Sequence, residues 1–197
     1  MARDKKGAVE QNATLLFVDE ASLCLTPTVR RTWAPRGKTP ILKHTASKKR
    51  LHLIGAIGCT PTGEECRLLI QAQEVPVETV SFLHFLGEVT AHFSGKVIVV
   101  MDNLSAHHSG LVVDFLEEHS DRLSAEYFPS YSPELNPVEY LWSAIKGKDV
   151  ANLPARDLAD LECAAEQASV RIESDQEIMK GFLRGSGLFM PLADVPE

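Results

Sequence analysis

The chain has 197 residues, 44% hydrophobic and 24% charged, with 27 acids against 20 Lys and Arg for a net charge of −7. That length supports one large domain or at most two small ones, and a chain of this size buries roughly 70% of its unfolded surface without a metal or disulfide staple. No apolar run reaches 18 residues, the opening MARDKKGAVEQ is polar, and Cys24, Cys59, Cys66 and Cys163 form no CxxC pair, which excludes a membrane span, a signal peptide, a zinc ribbon and a disulfide framework and fits a reduced, cytoplasmic compartment.

After a polar extension (1–12), ATLLFVDE (13–20) reads as a buried strand that emerges at Asp19. From residue 21 to 63 there is no acid but eight cations: Arg30, Arg31, Arg36, Lys38, Lys43, Lys48, Lys49 and Arg50. Such a stretch on an acidic chain can track phosphates locally, or be a solvated loop or Lys-protected edge strand. Its middle, RRTWAPRGKTPIL, is rich in turn residues. Strands follow at 49–58 and 64–72, joined by the turn TPTG, which makes an antiparallel meander. Residues 76–93 carry helical apolar spacing, and KVIVVMDN (96–103) is apolar on both faces, as a central parallel strand is. A short helix (109–120) and a strand (123–129) come next. PSYSPELNPVEYLW opens a helix running to about Lys146, with Gly147 as its stop, and another helix covers 155–172. The segment GFLRGSGLFMPLADVPE is weakly patterned, and 186–197 reads as a tail. The order β-β-β-α-β-α-β-α-α predicts an α/β fold over 13–185, with three antiparallel strands and then parallel ones in one mixed sheet flanked by helices.

Asp19 and Asp102 each close an apolar run. If the two strands are neighbours, their carboxylates share one end of the sheet, where like charges repel and a divalent cation relieves them. The plain alternative is that each Asp starts a turn. Asn136 suits an N-cap and Pro137 the first helical position, so Glu139 falls third in the helix, where it closes a capping box or serves as a rigidly held metal ligand. Tyr131 and Ser132 before it, and Tyr140 and Trp142 after it, are expected to stiffen the approach and anchor the first turn in the core.

The motifs FVDE, VVMDN followed by SAHHS, and PSYSPELNPVEYLW resemble the catalytic domain of DDE transposases, in particular the mariner-like enzymes and bacterial insertion-sequence relatives. The resemblance covers about residues 13–150. Thirty-six residues separate Asp102 from Glu139, slightly more than the mid-thirties spacing of that group. It implies an RNase H-like fold with a five-stranded sheet and a triad of Asp19, Asp102 and Glu139. It also implies two Mg2+ or Mn2+ ions about 3.5–4 Å apart, with hydrolysis of a DNA strand followed by strand transfer. The implied partners are double-stranded DNA, as element ends and target, a second copy of the chain, and a helix-turn-helix DNA-reading segment. No such segment fits before residue 14, so an isolated catalytic domain, a fragment or one frame of a split gene is expected, in bacterial cytoplasm and on the nucleoid when DNA-bound.

Glu20, Asn103 and His107 are accessory candidates. Glu20 points to the opposite strand face from Asp19, and Asn103 and His107 orient a ligand, touch DNA or shape a turn. Arg30, Arg31, Trp33, Arg36, Lys38, Lys48, Lys49 and Arg50 are the DNA-binding candidates, with Trp33 either stacking on a base or filling the core. Two further readings stand beside the enzyme: a catalytically silent fragment that binds DNA or a transposase, and a nuclease acting on RNA–DNA hybrids.

Overall fold

The computed structural model describes residues 13–44 and 47–188; the expected extension 1–12 and residues 189–197 of the expected tail lie outside them. Five strands form one mixed sheet in the order β3-β2-β1-β4-β5. β1 (Thr14–Cys24), β2 (Arg50–Cys59) and β3 (Cys66–Gln73) make the antiparallel meander, while β4 (Val97–Met101) and β5 (Leu123–Tyr127) run parallel to β1. Parallel strands need crossovers: α1 (Thr79–His92) leads from the edge strand β3 past β2 and β1 to β4, and α2 (Gly110–Glu118) from β4 to its neighbour β5. Three helices follow: α3 (Pro137–Ala144), α4 (Leu158–Glu173) and α5 (Gln176–Gly185).

Strand periodicity divides the core into two layers. Leu16 and Val18 of β1, with Val97, Val99 and Met101 of β4, pack on Phe82, Phe85, Leu86 and Val89 of α1. Leu15 and Phe17, with Ile98 and Val100, pack on Val138, Leu141 and Trp142 of α3 and on side chains of α4 and α5. All five β4 residues are buried, as expected of a strand covered on both faces, and each large apolar side chain so buried contributes about 1.5–3 kcal/mol. The same alternation puts Asp19 on the α3 face and Glu20 on the α1 face.

Three expectations are corrected. β1 does not end at Asp19 but continues to Cys24, because β2 pairs with it as far as Cys24 while β4 pairs only with Thr14–Phe17. Leu23, on the same face as Asp19, is buried and carries the strand onward. Gly147 does not stop the helix: a π turn (Ile145–Asp149) continues it, and a Cβ at Gly147 would sit 3.2 Å from the Arg30 guanidinium, so the glycine leaves room for that side chain. The weakly patterned segment begins inside a helix: α5 starts at Gln176, is capped by the Asp175 side chain, which accepts from the Glu177 and Ile178 N–H groups, runs through the segment's first five residues to Gly185, and is buried through Met179 and Leu183. Among the described residues no helix is long and apolar enough to cross a membrane.

Candidate active site

Asp19 lies where β1 has lost its parallel neighbour, and Asp102 is the first residue beyond β4. The start of α3 is fixed against β1 by Asn136, which is buried. Its Oδ1 accepts from the Val138 N–H at 3.1 Å and its Nδ2 donates to the Val18 carbonyl at 3.3 Å. This cap sets the first turn of α3 beside Asp19. Asn136 uses its own N–H on the Pro133 carbonyl at 3.0 Å, so Glu139 does not close a capping box, and its side chain is left exposed. Asp19, Asp102 and Glu139 line a single cleft of about 460 Å³, with Asn103, Phe128 and Asn136 among its walls.

The acids in this cleft crowd one another. Burial, then the negative charges of Glu139 and Glu20, push the Asp19 carboxyl up to about 7, against the opposing hydrogen bonds from the Glu20 backbone and Trp142. Carboxylate oxygens are the donor type that hard divalent cations take, and a cation would relieve this repulsion. Among the described residues no three His, Cys, Asp or Glu side chains are arranged as a ready-made metal site. Asp19, Asp102 and Glu139 share one cleft without forming such a cluster.

Each strand aspartate is held by a buried ring. The Trp142 indole Nε1 donates to Asp19 Oδ2 at 3.0 Å. His107, 1% exposed, donates from Nδ1 to the Asp102 backbone carbonyl at 3.2 Å and forms an ion pair with Asp102 Oδ1 at 2.9 Å, while the Leu104 N–H donates to that carboxylate oxygen at 3.0 Å. On its other side His107 Nε2 meets Glu20 Oε1 at 2.9 Å, and its ring lies against Phe82 with centroids 4.3 Å apart. Burial works against a charged imidazole, but the hydrogen bond and charge of Glu20, and then those of Asp102, outweigh it and raise His107 above its ordinary value. Glu20 is thus outside the cleft, on the α1 face, yet tied through His107 to Asp102. Asn103 shapes the turn: its Nδ2 donates to the Phe128 carbonyl at 2.7 Å, joining the ends of β4 and β5, and its Oδ1 faces His108 Nε2 at 3.4 Å.

The aromatic residues around Glu139 do not behave alike. Trp142 is buried and Tyr140 half-buried, with its hydroxyl donating to the Gly185 carbonyl of α5 at 2.7 Å. Tyr131, on the approach to the helix, is fully exposed at the rim of the cleft in a left-handed backbone conformation (φ 61°). The Trp142 bond to Asp19 is the contact sequence reasoning missed. Its only linear signal is that Trp142 follows Glu139 by three places on a helix, which puts both near one face.

The basic candidates lie elsewhere. Residues 25–44 and 47–49 form no helix or strand, and Arg30, Arg31, Trp33, Arg36, Lys38, Lys48, Lys49 and Arg50 are all exposed. Trp33 is 100% exposed, so it is not a core aromatic. None of the eight lines the cleft. The base of this connection is tethered by Asn152, whose Oδ1 accepts from the Arg30 N–H at 2.8 Å and whose Nδ2 donates to the Arg30 carbonyl at 2.9 Å. Arg50, on β2, donates to Ser22 Oγ at 3.1 Å.

The family model described as "DDE superfamily endonuclease" matches residues 14–162. No curated protein sequence matches the chain. Solved structures with the same fold include a Mos1 transposase paired-end complex with left transposon end (TM-score 0.67, 16% identity, covering 95% of this chain and 55% of that one). A Mos1 mariner paired-end complex with Mn covers 95% and 56%, with TM-score 0.61 and 16% identity. The catalytic domain of Mos1 mariner transposase covers 95% and 81%, with TM-score 0.61 and 15% identity. These likenesses establish the RNase H-like fold expected from the motifs; the chain spans about half the length of the first of these structures.

Proposed function

Because the chain belongs to the DDE superfamily endonuclease family, we propose that residues 13–185 act as a single transposase catalytic domain that hydrolyses a DNA phosphodiester and then transfers the freed strand into target DNA. The observation that carries this reading is one cleft lined by Asp19, Asp102 and Glu139, three acids from a strand, a strand end and a helix start. These are its catalytic residues and the ligands of a divalent cation. Two Mg2+ or Mn2+ ions, when bound, supply a water or 3′-hydroxyl nucleophile at neutral pH and stabilise the leaving oxygen.

The chain's own residues set the geometry. Asn136 pins the helix that brings Glu139 to Asp19. His107, braced by Glu20 and Phe82, holds one oxygen of Asp102. The acids also keep DNA phosphates out of the cleft until cations enter, since like charges repel. Double-stranded DNA follows the exposed cations of 30–50, with Trp33 stacking on a base or sugar. A second copy of the chain and a separate helix-turn-helix segment would supply paired-end recognition.

The test is nicking of supercoiled and linear duplex DNA with Mg2+ or Mn2+, with Asp102→Ala as control. Metal-dependent nicking lost in Asp102→Ala is the expected result. Metal-independent cutting, or equal cutting by the variant, overturns the catalytic reading. Faster cleavage of an RNA–DNA hybrid than of duplex DNA would instead identify a hybrid nuclease.

A further inference from the structure

We infer that Trp142 is a positioning residue for Asp19, and that Gly55 is a glycine so that the indole can reach that carboxylate. The inference rests on Asp19 being a ligand, as proposed above, and adds what fixes it.

Trp142 is 2% exposed. A buried indole N–H needs an acceptor, and most find a backbone carbonyl, a side chain or a water. Here the acceptor is Asp19 Oδ2 at 3.0 Å, a carboxylate and so a stronger partner than a neutral one. The route to it crosses β2. Gly55 is the register partner of Asp19 on that strand, and a Cβ built on it would lie 2.5 Å from Trp142 Cη2 and 2.6 Å from Cζ2. No side chain fits there while the indole keeps its place. The neighbour of Asp19 on β2 is thus bare on the face where the tryptophan lies.

The consequence is mechanical. Glu139 and Trp142 stand three positions apart on α3, so the helix that carries one acid also grips another. With Asn136 bonded to the Val18 carbonyl, α3 is joined to β1 at two successive residues. One oxygen of Asp19 is fixed, and the carboxylate plane and the direction of its other oxygen are fixed with it. A side chain that would otherwise turn freely meets an incoming cation already oriented. Such outer contacts typically change metal affinity by about 10–100-fold.

The experiment uses the whole chain. Mn2+ affinity is measured by electron paramagnetic resonance for the wild type, Trp142→Phe, which keeps an aromatic ring but no N–H, and Gly55→Ala, which keeps the indole but displaces it. Both variants are expected to bind Mn2+ at least about 10-fold more weakly. In parallel, the chain has two tryptophans, so the indole ¹H–¹⁵N resonance missing from Trp142→Phe identifies Trp142. That resonance should shift when Mg2+ is added to the wild type and stay in place in Asp19→Asn. Should Gly55→Ala fail to fold, Trp142→Phe and the resonance decide. Unchanged Mn2+ affinity in folded Trp142→Phe, or an indole resonance indifferent to Mg2+, overturns the inference and leaves the catalytic reading standing. A wild type that binds no Mn2+ overturns both.

Discussion

Asp19 and Asp102 are gripped by rings that are themselves buried, Trp142 at 2% and His107 at 1% exposure. A few residues further along the same strand, the chain leaves the sheet and carries Arg31, Trp33, Arg36 and Lys38 fully into solvent, moored at its base by Asn152. One region holds a few charges in place by spending core residues on them. The other offers many charges and leaves most of them exposed. Reaction at a point needs the first arrangement, because misplaced ligands lose affinity and rate steeply. Tracking a phosphate backbone needs only the second, because each contact adds a similar, sequence-independent increment.

The sharpest way to break the contrast is a single change at the acidic end. Glu139→Gln keeps shape and hydrogen-bonding capacity, yet should lower metal-dependent nicking by about 10³-fold, the scale of removing one preorganised charge from a reacting centre. Gel-shift affinity for DNA should stay within a few-fold of wild type. If nicking falls no further than DNA binding does, the acidic end is not the point of reaction.

The raised Asp19 carboxyl gives a second, stability-based distinction. Its folded value of about 7 lies above the ordinary 3.8. Its favourable contribution is therefore complete below pH 3.8 and is lost as pH rises to about 7, by an amount on the order of a few kcal/mol. Without metal, the melting temperature of the wild type should fall over that window relative to Asp19→Asn, as differential scanning calorimetry would read. Excess Mg2+ at pH 7–8 should restore part of the loss in the wild type alone.

At the basic end, effects should be graded. Replacing Arg31, Arg36, Lys48 and Lys49 together by Ala should weaken DNA binding by about 10–100-fold at moderate salt and flatten the log K against log[salt] slope by up to about 3–4. Mn2+ affinity should not move, since none of these residues lines the acidic cleft. An unchanged salt slope would show that these cations do not meet phosphate.

The smallest effect belongs to the mooring. Asn152 itself adopts a left-handed backbone (φ 58°), so Asn152→Gly keeps the conformation and removes only its two bonds to Arg30. A stability loss of about 1–2 kcal/mol by urea unfolding is expected, with more rapid proteolysis between β1 and β2. Equal proteolysis in the two proteins would mean the connection is held by other contacts.

Much of this contrast was legible in the linear chain, and unevenly. The acid-free run of cations needed only counting, and its exposure follows from its charge and its turn residues. The Asn136–Pro137 start of α3 was readable because capping is decided within a few residues. β1 was read too short because Asp19 and Glu20 interrupt its apolar run; the pairing of Ala21 through Cys24 with β2 overrides that polarity. Gly147 was read as a stop because glycine usually ends helices, whereas here it makes room for Arg30, a residue 117 positions earlier. Tyr131 was expected to help stiffen the approach to α3, and its left-handed backbone turns its ring fully into solvent, which no aromatic pattern in the chain announces.

By itself, the sequence determined the element order and the mixed five-stranded sheet, and it singled out Asp19, Asp102 and Glu139 as candidates. Apolar periodicity and capping are local, and the order of strands leaves few ways to close a sheet. Only the tertiary structure decided which atoms hold those acids. Trp142 reaches Asp19 over Gly55, and Glu20 reaches Asp102 through His107. Those contacts join residues as many as 123 positions apart, and their geometry depends on how helix and sheet pack, which no short stretch of chain encodes.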